Sequence, residues 1–362
     1  MKALVLRKPE HLELCEIPKP VPEPDEVLVR VAACGICGSD ARYYYGANPW
    51  TRQTLGEDRP NPPNIILGHE LAGVVVEVGA RAPESLLGKR VGVLCFRGCG
   101  VCHDCRIGRE QFCINTQHLG HGQGWGERDF YPGGMAEYCA VWADKAIPLP
   151  DHVSTVEASF LDPILASLHA VDVSRLVCCE SVLILGAGPI GLCILQIVKA
   201  LGSGHAVITD ISEPILKIAR DLGADEAINV SQCEGRDLVS RVRQRAGERG
   251  VDVVFNTVGT DETIEQSLAV LARGGRLILL ATKSDTLHIP ATALSGEKTI
   301  ATSANARYAD FQRSLDLLAQ GSIQVKPMIT HRFPLEHALD AFDIARNKER
   351  YAAIKVLIEM GS

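Results

Sequence analysis

Residues 181–202, SVLILGAGPIGLCILQIVKALG, join a short apolar run to a helical pattern through a glycine turn. The turn carries the spacing GxGxxG directly after the predicted strand and directly before the predicted helix. In this context glycines allow a tight turn, close approach of a pyrophosphate and close helix–sheet packing, and the helix N-terminus attracts phosphate charge. Glycine turns also arise for packing alone, so only the context makes this a predicted dinucleotide site. Its predicted binding residues are Gly186, Gly188, Pro189, Ile190 and Gly191.

The following segments repeat the order of strand, turn and helix, as in HAVITDISEPILKIARDLGA at 205–224. Such alternation predicts parallel βαβ units in a doubly wound sheet. Asp210 ends the second of these strands, about twenty residues beyond the glycine turn. A carboxylate there accepts hydrogen bonds from ribose hydroxyls and repels a 2′-phosphate, which favours NAD over NADP. Alternatively, Asp210 caps the helix that begins near Ser212, or Ser212 caps it.

The first 150 residues differ in rhythm, with short β-branched runs between turns rich in proline and glycine, for example EVLVRVA at 26–32 and LAGVVVEV at 71–78. This pattern predicts an antiparallel, barrel-like domain with long loops. A length of 362 residues also favours two domains over one core. After residue 300 we expect a helix at 308–320, an extended segment at 327–335, a helix at 336–346 and a final strand at 353–358.

Composition excludes several classes of function. The net charge of −7 argues against nucleic acid or an anionic membrane as the main partner, since both require a basic face. The longest apolar stretches are interrupted by glycines and are too short to cross a bilayer. The chain has thirteen cysteines and looks intracellular, so we expect its thiols to bind metals or to pack in cores instead of forming disulfides. This favours a reducing compartment, and we expect a cytoplasmic protein.

Four cysteines crowd into CGVCHDCRIGREQFC at 99–113. Soft sulfur donors at this spacing suit a closed, tetrahedral structural zinc site, which stabilises a loop and performs no chemistry. Disulfides in a secreted protein are the alternative, which the start MKALVLRK and the large size of the chain disfavour. The predicted ligands are Cys99, Cys102, Cys105 and Cys113.

A second set of donors is spread over two motifs. Cys37 lies in CGICGSD, and His69 and Glu70 lie in LGHE, thirty-two residues further on. A thiolate, an imidazole and a carboxylate match a catalytic zinc with an open position. This spacing is not diagnostic by itself, because GHE is also typical of a turn with a surface carboxylate, but the cysteine cluster and the nucleotide motif favour the metal.

With these motifs the chain resembles the zinc-containing medium-chain dehydrogenase/reductase family, and within it the polyol (sorbitol-type) and threonine dehydrogenase branch. The resemblance extends over essentially the whole chain and includes GGMAEYC at 133–139, LDP at 161–163 and ITHRFPLEHALDAF at 329–342. It implies an α/β protein with a GroES-like, β-barrel-type catalytic domain at 1–160 and a Rossmann NAD-binding domain at 161–300. The segment 301–362 would return to the catalytic domain.

The resemblance also implies roles for single residues. Ser39 would hydrogen-bond the substrate oxygen, and Asp40 would orient His69. Asp162 stands where this branch has an acidic residue, commonly Glu, that binds the metal directly or through its water, and the shorter side chain leaves both modes open. The implied ligands of the catalytic zinc are Cys37, His69, Glu70 and Asp162.

Other positions bear on the substrate. Family members often carry a relay histidine where this chain has Arg42, which cannot act as a base and would bind cofactor phosphate or line the surface. The segments 47–64 and 117–130 are longer than the family minimum and rich in polar groups, so they suit a hydroxyl-rich or charged substrate, or are ordinary solvated loops. Arg307 and Tyr308 match a branch position near a polar substrate.

The remaining cysteines and histidines carry no predicted site. We expect Cys34, Cys95, Cys139, Cys178, Cys179 and Cys193 to be small apolar core residues. Isolated histidines usually titrate on a surface or satisfy a core hydrogen bond, so no metal is assigned to His118, His121, His169 or His331.

We therefore expect an enzyme with two Zn²⁺ per chain that transfers a hydride between a secondary alcohol (polyol, cyclitol, sugar or related) and NAD. A threonine-type amino-alcohol dehydrogenase is the second candidate. A non-catalytic redox sensor that keeps only the structural metal is the third. The expected partner is a small molecule, and a homodimer or homotetramer is implied, with the predicted sheet edge at 275–281 as an interface.

Overall fold

The computed structural model describes residues 1–233, 237–246, 249–281 and 286–361. The chain divides into two compact units. The first unit contains Met1–Asp162, Arg307–Ala319 and the chain from Ile329 onward, and the second contains Pro163–Ala306 and Gln320–Met328.

The strands of both units are short. In chain order they are β1 (Lys2–Lys8), β2 (His11–Glu16), β3 (Glu26–Gly35), β4 (Ile65–Ile66), β5 (Glu70–Val78), β6 (Arg90–Val93), β7 (Phe96–Arg97), β8 (Gln117–His118), β9 (Tyr138–Trp142), β10 (Ala146–Pro148), β11 (Val182–Leu185), β12 (Ala206–Asp210), β13 (Glu226–Asn229), β14 (Val251–Asn256), β15 (Leu271–Leu279), β16 (Thr299–Thr302), β17 (Ile329–Pro334) and β18 (Lys355–Glu359).

None of the helices in the described ranges is long and apolar enough to cross a membrane. In chain order the helices are α1 (Gly38–Tyr44), α2 (His103–Arg106), α3 (Thr155–Ala158), α4 (Leu161–Ser174), α5 (Pro189–Ala200), α6 (Glu213–Asp221), α7 (Asp237–Ala246), α8 (Asp261–Val270), α9 (Tyr308–Ala319), α10 (Ala338–Arg346) and α11 (Lys348–Tyr351).

The main sheet of the first unit has the order β10-β6-β5-β3-β18-β17, and β9 also pairs with β3. Strand β3 is antiparallel to both β5 and β18, and the register sets Gly35 opposite Glu70 on one side and Leu357 on the other. The carboxyl end of β3, the start of β5 and the middle of β18 therefore meet at Gly35. This meeting point positions the candidate metal centre described below.

The second unit holds a parallel sheet with the order β13-β12-β11-β14-β15-β16. Its inner strands are almost entirely apolar, as in VLIL of β11, because helices cover both faces of such a sheet. Leu183, Val207 and Val254 lie in one buried cluster with residues of α7 and α8. The predicted doubly wound α/β architecture is thus confirmed.

Three expectations differ from the structure. Strand β15 pairs with β14 and β16, so 275–281 is not a sheet edge, and the edge strands in the described residues are β13 and β16. Residues 301–306 belong to the second unit, since β16 continues its parallel sheet, and so does Gln320–Met328, where Gln324 N donates to Gln196 Oε1 of α5. Cys34, Cys139 and Cys193 are buried as expected, whereas Cys178 and Cys179 are exposed.

Candidate metal and cofactor sites

The four cysteines of the 99–113 lobe converge, with all Sγ atoms within 4.8 Å of one another. Backbone N–H groups surround the sulfurs: Cys102 N donates to Cys99 Sγ at 3.4 Å, and Cys105 N donates to Cys102 Sγ at 3.5 Å. Such bonds from Val101 and Cys102 lower the pKa of Cys99 to about 6, which favours the thiolate that binds metal. The donor set therefore fits a closed zinc site.

If this lobe is structural, Cys102→Ser should lower the zinc content by about one ion per chain and reduce the melting temperature, because a closed site contributes folding energy. The fraction that folds should still turn over substrate. Metal analysis, thermal melts and assays on the soluble fraction measure all three quantities. Cys15→Ser, a half-buried cysteine outside the lobe, is the control, and equal stability and zinc content in both variants would refute the assignment.

A second group of donors forms where strands meet. One ligand atom each from Cys37, His69 and Glu70 lies within 4.8 Å of the others. Cys37 directly precedes α1, His69 directly precedes β5, and Glu70 is the first residue of β5. A side chain at Gly35 would place its Cβ 2.1 Å from Glu70 Oε2, so only glycine leaves room for this carboxylate. The sulfur, nitrogen and oxygen donors fit a zinc ion with an open position.

Asp40 fixes the backbone on both sides of this group. Its Oδ2 accepts a hydrogen bond from Cys37 N at 2.7 Å, and its Oδ1 accepts one from Gly68 N at 3.2 Å. The same Oδ1 is 3.7 Å from His69 Nδ1, which is longer than a hydrogen bond. Asp40 is fully buried, and burial raises the pKa of its carboxyl. These contacts therefore fix the backbone of Cys37 and of Gly68, the residue directly before His69.

Cys37 and His69 are electrostatically coupled. Burial would raise the pKa of Cys37, but His69 lowers it below the usual thiol value. Burial likewise opposes charge on His69, yet the carboxylate of Asp40 and the sulfur of Cys37 raise the pKa of His69. The thiolate form of Cys37 is thus favoured, and this is the form that binds a metal.

Glu70 is also bonded to a residue that the sequence did not single out. Lys355 Nζ donates to Glu70 Oε1 at 2.7 Å and to Oε2 at 2.6 Å, and each side chain is only 2% exposed. Burial lowers the pKa of Lys355, but Glu70 and Cys37 outweigh it, so the pKa is raised. Because 285 positions separate the partners, no local pattern could have joined them.

Asp162 lies beside the ligand group at the start of α4. Its Oδ2 is 3.9 Å from His69 Nε2, and its Oδ1 accepts a hydrogen bond from the Cys95 thiol at 3.2 Å. Burial raises the pKa of Cys95 well above the usual value, so the thiol keeps its proton and can donate it. Cys95 is buried as expected, but it is a polar partner of Asp162 and not merely an apolar filler.

Two histidines treated as isolated in the sequence are stacked against this site. The rings of His118 and His121 are 4.2 Å apart and nearly parallel at 14°. His121 also stacks on Tyr43 at 4.4 Å and meets the His69 ring edge-on at 4.7 Å. Burial lowers the pKa of His118 to about 3, and it lowers that of His121 well below the usual value. Both rings are therefore neutral packing partners near neutral pH.

The two long segments come together at this stack. Gln123 Nε2 donates to Tyr43 Oη and to Asn48 Oδ1, both at 2.7 Å. Trp125 Nε1 donates to the backbone carbonyl of His118 at 3.0 Å. The segments 47–64 and 117–130 are thus tied together by the buried contact of Gln123 with Asn48, which a pair of freely solvated loops would not show.

Because His121 contacts His69 through its ring, we expect ring shape to matter more than its nitrogens. His121→Ala should weaken zinc binding at the open site by roughly 10- to 100-fold, the range found for partners of metal ligands. His121→Phe keeps a stacking ring and should stay within a few-fold of the parent. Chelator competition measures the zinc affinity of each variant, and the visible spectrum of the cobalt-substituted protein reports the geometry of the open site. Equal losses in both variants would assign the effect to a histidine nitrogen instead.

Ser39 and Arg42 sit on α1. The Oγ atom of Ser39 is buried and has no hydrogen-bond partner within the described part of the chain. Such a hydroxyl is costly unless something bonds to it, so it is free to contact a bound molecule. The side chain of Arg42 is exposed.

Arg307 and Tyr308 make contacts within the first unit. The Arg307 guanidinium donates to the buried carboxylate of Asp310, with Nη2 3.0 Å from Oδ1. Tyr308 Oη accepts a hydrogen bond from Gly98 N, next to the cysteine lobe, and Lys145 Nζ lies 3.6 Å from its ring centroid. Both side chains therefore have structural partners, and their expected role near the substrate stays a prediction.

The glycine turn of the second unit has the form that a dinucleotide site requires. Gly186 has φ of 94°, a left-handed conformation that glycine adopts without strain. A Cβ on Gly191 would lie 2.0 Å from Gly186 O, whereas a Cβ on Gly188 would meet nothing within 4 Å. Gly188 thus faces open space at the N-terminus of α5, where a pyrophosphate can approach.

Asp210 lies next to this turn at the carboxyl end of β12. Its Oδ2 accepts a hydrogen bond from Ala187 N at 2.9 Å, and its Oδ1 accepts one from Ser212 N at 3.0 Å. The carboxylate therefore contacts both the glycine turn and the start of α6. These contacts fit an acidic residue beside a ribose, and they also fit the helix-end role considered above.

Comparisons with known proteins identify the family. Residues 23–151 match the alcohol dehydrogenase GroES-like domain, and residues 189–320 match the zinc-binding dehydrogenase domain. The chain is 31% identical to sorbitol dehydrogenase of Bacillus subtilis strain 168, over 95% of this chain and 93% of the relative. It is 32% identical to L-threonine 3-dehydrogenase of Saccharopolyspora erythraea, over 96% of both chains.

Solved structures match the chain over nearly its whole length. A dehydrogenase of Escherichia coli CFT073 complexed with NADH has a TM-score of 0.86 and 27% identity, covering 99% of both chains. A zinc-binding dehydrogenase of Sinorhizobium meliloti 1021 bound to NADP has a TM-score of 0.86 and 29% identity, covering 99% of this chain and 98% of that one. With two matching domains, full-length relatives and the geometry above, the chain belongs to the zinc-type medium-chain dehydrogenase family, polyol and threonine dehydrogenase branch, and is an alcohol dehydrogenase-type oxidoreductase.

Proposed function

We propose that the chain oxidises a secondary alcohol of a polyol, cyclitol, sugar or related compound with NAD, or catalyses the reverse reduction. The observation that carries the proposal is the convergence of Cys37, His69 and Glu70, together with Ser39, two positions after Cys37, whose buried Oγ has no hydrogen-bond partner among the described residues. A scaffold protein has no use for an open donor set next to a buried free hydroxyl. The similarity to sorbitol dehydrogenase supports a polyhydroxy substrate.

The proposed ligands are Cys37, His69 and Glu70 for one zinc ion, with Asp162 bound directly or through water, and the four lobe cysteines for a second. When bound, the first zinc acts as a Lewis acid that lowers the pKa of an alcohol, and NAD accepts the hydride.

The protein's own groups handle position and protons. Ser39 Oγ takes up the proton of the substrate hydroxyl while its own hydroxyl proton passes to solvent water, a role that Arg42 cannot fill because a guanidinium does not lose its proton near neutral pH. Asp40 holds the backbone of Cys37 and Gly68 in place through its two oxygens. Because these backbone contacts hold the proposed ligands in place, a bound substrate is held in a fixed orientation for the reaction.

Asp210 is proposed to select NAD. The double variant Asp210→Asn/Ile211→Arg should shift the ratio of kcat/KM toward NADP by roughly 10- to 100-fold. It removes charge repulsion and adds a phosphate partner, a change worth about 1.5–3 kcal/mol. Asparagine keeps an acceptor for the turn. Steady-state kinetics with both cofactors measure the shift, and a parent protein that already prefers NADP would overturn the assignment.

The substrate class is tested by turnover with NAD⁺ of a panel of polyols, cyclitols, sugars and amino alcohols. We expect activity on polyhydroxy compounds to exceed that on simple alkyl alcohols, because buried polar groups reject ligands that leave them unpaired. A threonine-type amino-alcohol dehydrogenase is the second candidate, supported by the 32% identity to L-threonine 3-dehydrogenase. Preference for L-threonine within the panel would select it.

Metal content separates the enzyme from a redox sensor. Two zinc ions per chain support the enzyme, and one ion with no turnover on any panel member supports the sensor. We further propose a cytoplasmic homodimer or homotetramer. The thirteen free cysteines support a reducing compartment. In the described residues β16 pairs on one side only, which supports association through this edge.

A further inference from the structure

Two adjacent thiols lie outside the sites described above. The side chains of Cys178 and Cys179 are exposed, and their Sγ atoms are 3.4 Å apart. In an extended segment, consecutive side chains point to opposite sides, so this approach requires a bend in the backbone. Cys179 provides it with φ of 69°, in the left-handed region that non-glycine residues rarely adopt.

The bend is held by contacts that do not involve the sulfurs. The pair lies between α4 and β11, and Cys179 N donates to Gly202 O at 2.8 Å. The carboxylate of Glu180 accepts a hydrogen bond from Val177 N at 2.9 Å and pairs with Arg276. Because the surrounding chain fixes this turn, the two thiols are pre-organised to act together on one ligand atom.

We propose that Cys178 and Cys179 form a two-thiol site that chelates a thiophilic centre, specifically a trivalent organoarsenical. Sulfurs bound to one tetrahedral ion at about 2.3 Å are separated by about 3.8 Å. Trivalent arsenic has narrower bond angles, which brings its two sulfurs closer together. The observed separation of 3.4 Å therefore needs little side-chain movement.

Binding is a condensation without change of oxidation state. Two As–O bonds of R–As(OH)₂ break, two As–S bonds form, and the two thiol protons leave with the hydroxyl groups as two molecules of water. The Cys178 hydrogen bond raises the pKa of Cys179, so the pair carries the protons this reaction needs. A direct disulfide is less suited, because adjacent Cα atoms are about 3.8 Å apart and disulfides usually span about 4.4–6.8 Å.

The site is separate from the proposed nucleotide turn within the same unit. Cys179 lies before the amino end of β11, whereas the glycine turn follows its carboxyl end. Four strand residues place these ends about 13 Å apart. Serine variants of the pair should therefore keep the parent activity, which serves as a readout of correct folding.

Phenylarsine oxide is the probe, added to the zinc-loaded protein and followed by native mass spectrometry with zinc measured in parallel. The parent protein should bind one equivalent that glutathione does not remove and dithiothreitol does. Cys178→Ser and Cys179→Ser should each weaken binding by about 100-fold or more, the usual gain from a second linked contact. Cys15→Ser, a half-buried cysteine elsewhere, is the matched control and should bind as the parent does.

The proposal fails if the Cys178→Ser/Cys179→Ser double variant binds the probe as tightly as the parent. It also fails if binding releases zinc from the parent, because the lobe cysteines would then be the site. Neither result depends on the proposed substrate, since the readout is a mass and a metal count.

Discussion

Cys37→Ser should lower kcat by about 10³-fold or more while NAD binding stays close to the parent value. A metal Lewis acid supplies several kcal/mol of transition-state stabilisation, and each 1.4 kcal/mol or so is worth about tenfold in rate. The glycine turn and Asp210 belong to the second unit, so loss of a donor in the first unit leaves the nucleotide contacts in place. Single-turnover hydride transfer, zinc content and NAD titration measure the three quantities.

His69→Ala should behave in the same way, because it removes another member of the same donor group. Asp162→Asn should lose only roughly 10- to 100-fold if this carboxylate acts beside the ligands and not as one of them. Rates equal to the parent in Cys37→Ser, with one zinc ion missing, would show that the protein does not use this metal for catalysis.

In the zinc-free protein, Lys355→Met should lower the free energy of unfolding by roughly 3–5 kcal/mol, because it leaves the carboxylate of Glu70 buried without its partner. Urea denaturation followed by fluorescence measures the loss. Glu70→Gln/Lys355→Met should recover part of the stability, since an amide is less costly to bury than a charge. This second variant keeps the test informative if the single variant does not fold.

An exposed ion pair provides the control. Arg332 and Glu359 are joined at 2.8 Å, with 51% and 36% of their side chains exposed. Solvent screens such pairs, so Arg332→Met should change stability by less than about 1 kcal/mol. If Lys355→Met were as mild as Arg332→Met, the buried pair would not stabilise the first unit.

The local motifs were predictable because the residues of each motif are close together in the sequence. The GxGxxG motif forms a single turn. Gly186 adopts φ of 94°, and a side chain at Gly191 would collide with the Gly186 carbonyl, so both positions require glycine. The lobe cysteines likewise lie in one segment of fifteen residues, so their spacing could be recognised as that of a closed zinc site without any long-range contact. The alternation of short apolar strands with helices also predicted the parallel sheet, since parallel strands need helical crossovers that cover both faces.

Contacts between distant segments depended on the tertiary structure. Lys355 reaches Glu70 because β18 pairs with β3, which in turn pairs with β5, and the sequence contains no local trace of that register. Cys95 looked like a core residue until the fold set it against Asp162.

The stack of His118, His121 and Tyr43 arises in the same way, because the segment 117–130 packs against α1 and Gln123 donates to Tyr43 Oη. Conversely, Cys178 and Cys179 looked like core residues, but a left-handed bend exposes them. The sequence by itself determined the fold class, through the order of its strands and helices. It also determined the types of metal donor, through the residues of its short motifs. Only the packed structure decided which side chains orient those donors, because burial and long-range strand register are properties of the whole chain and not of any segment.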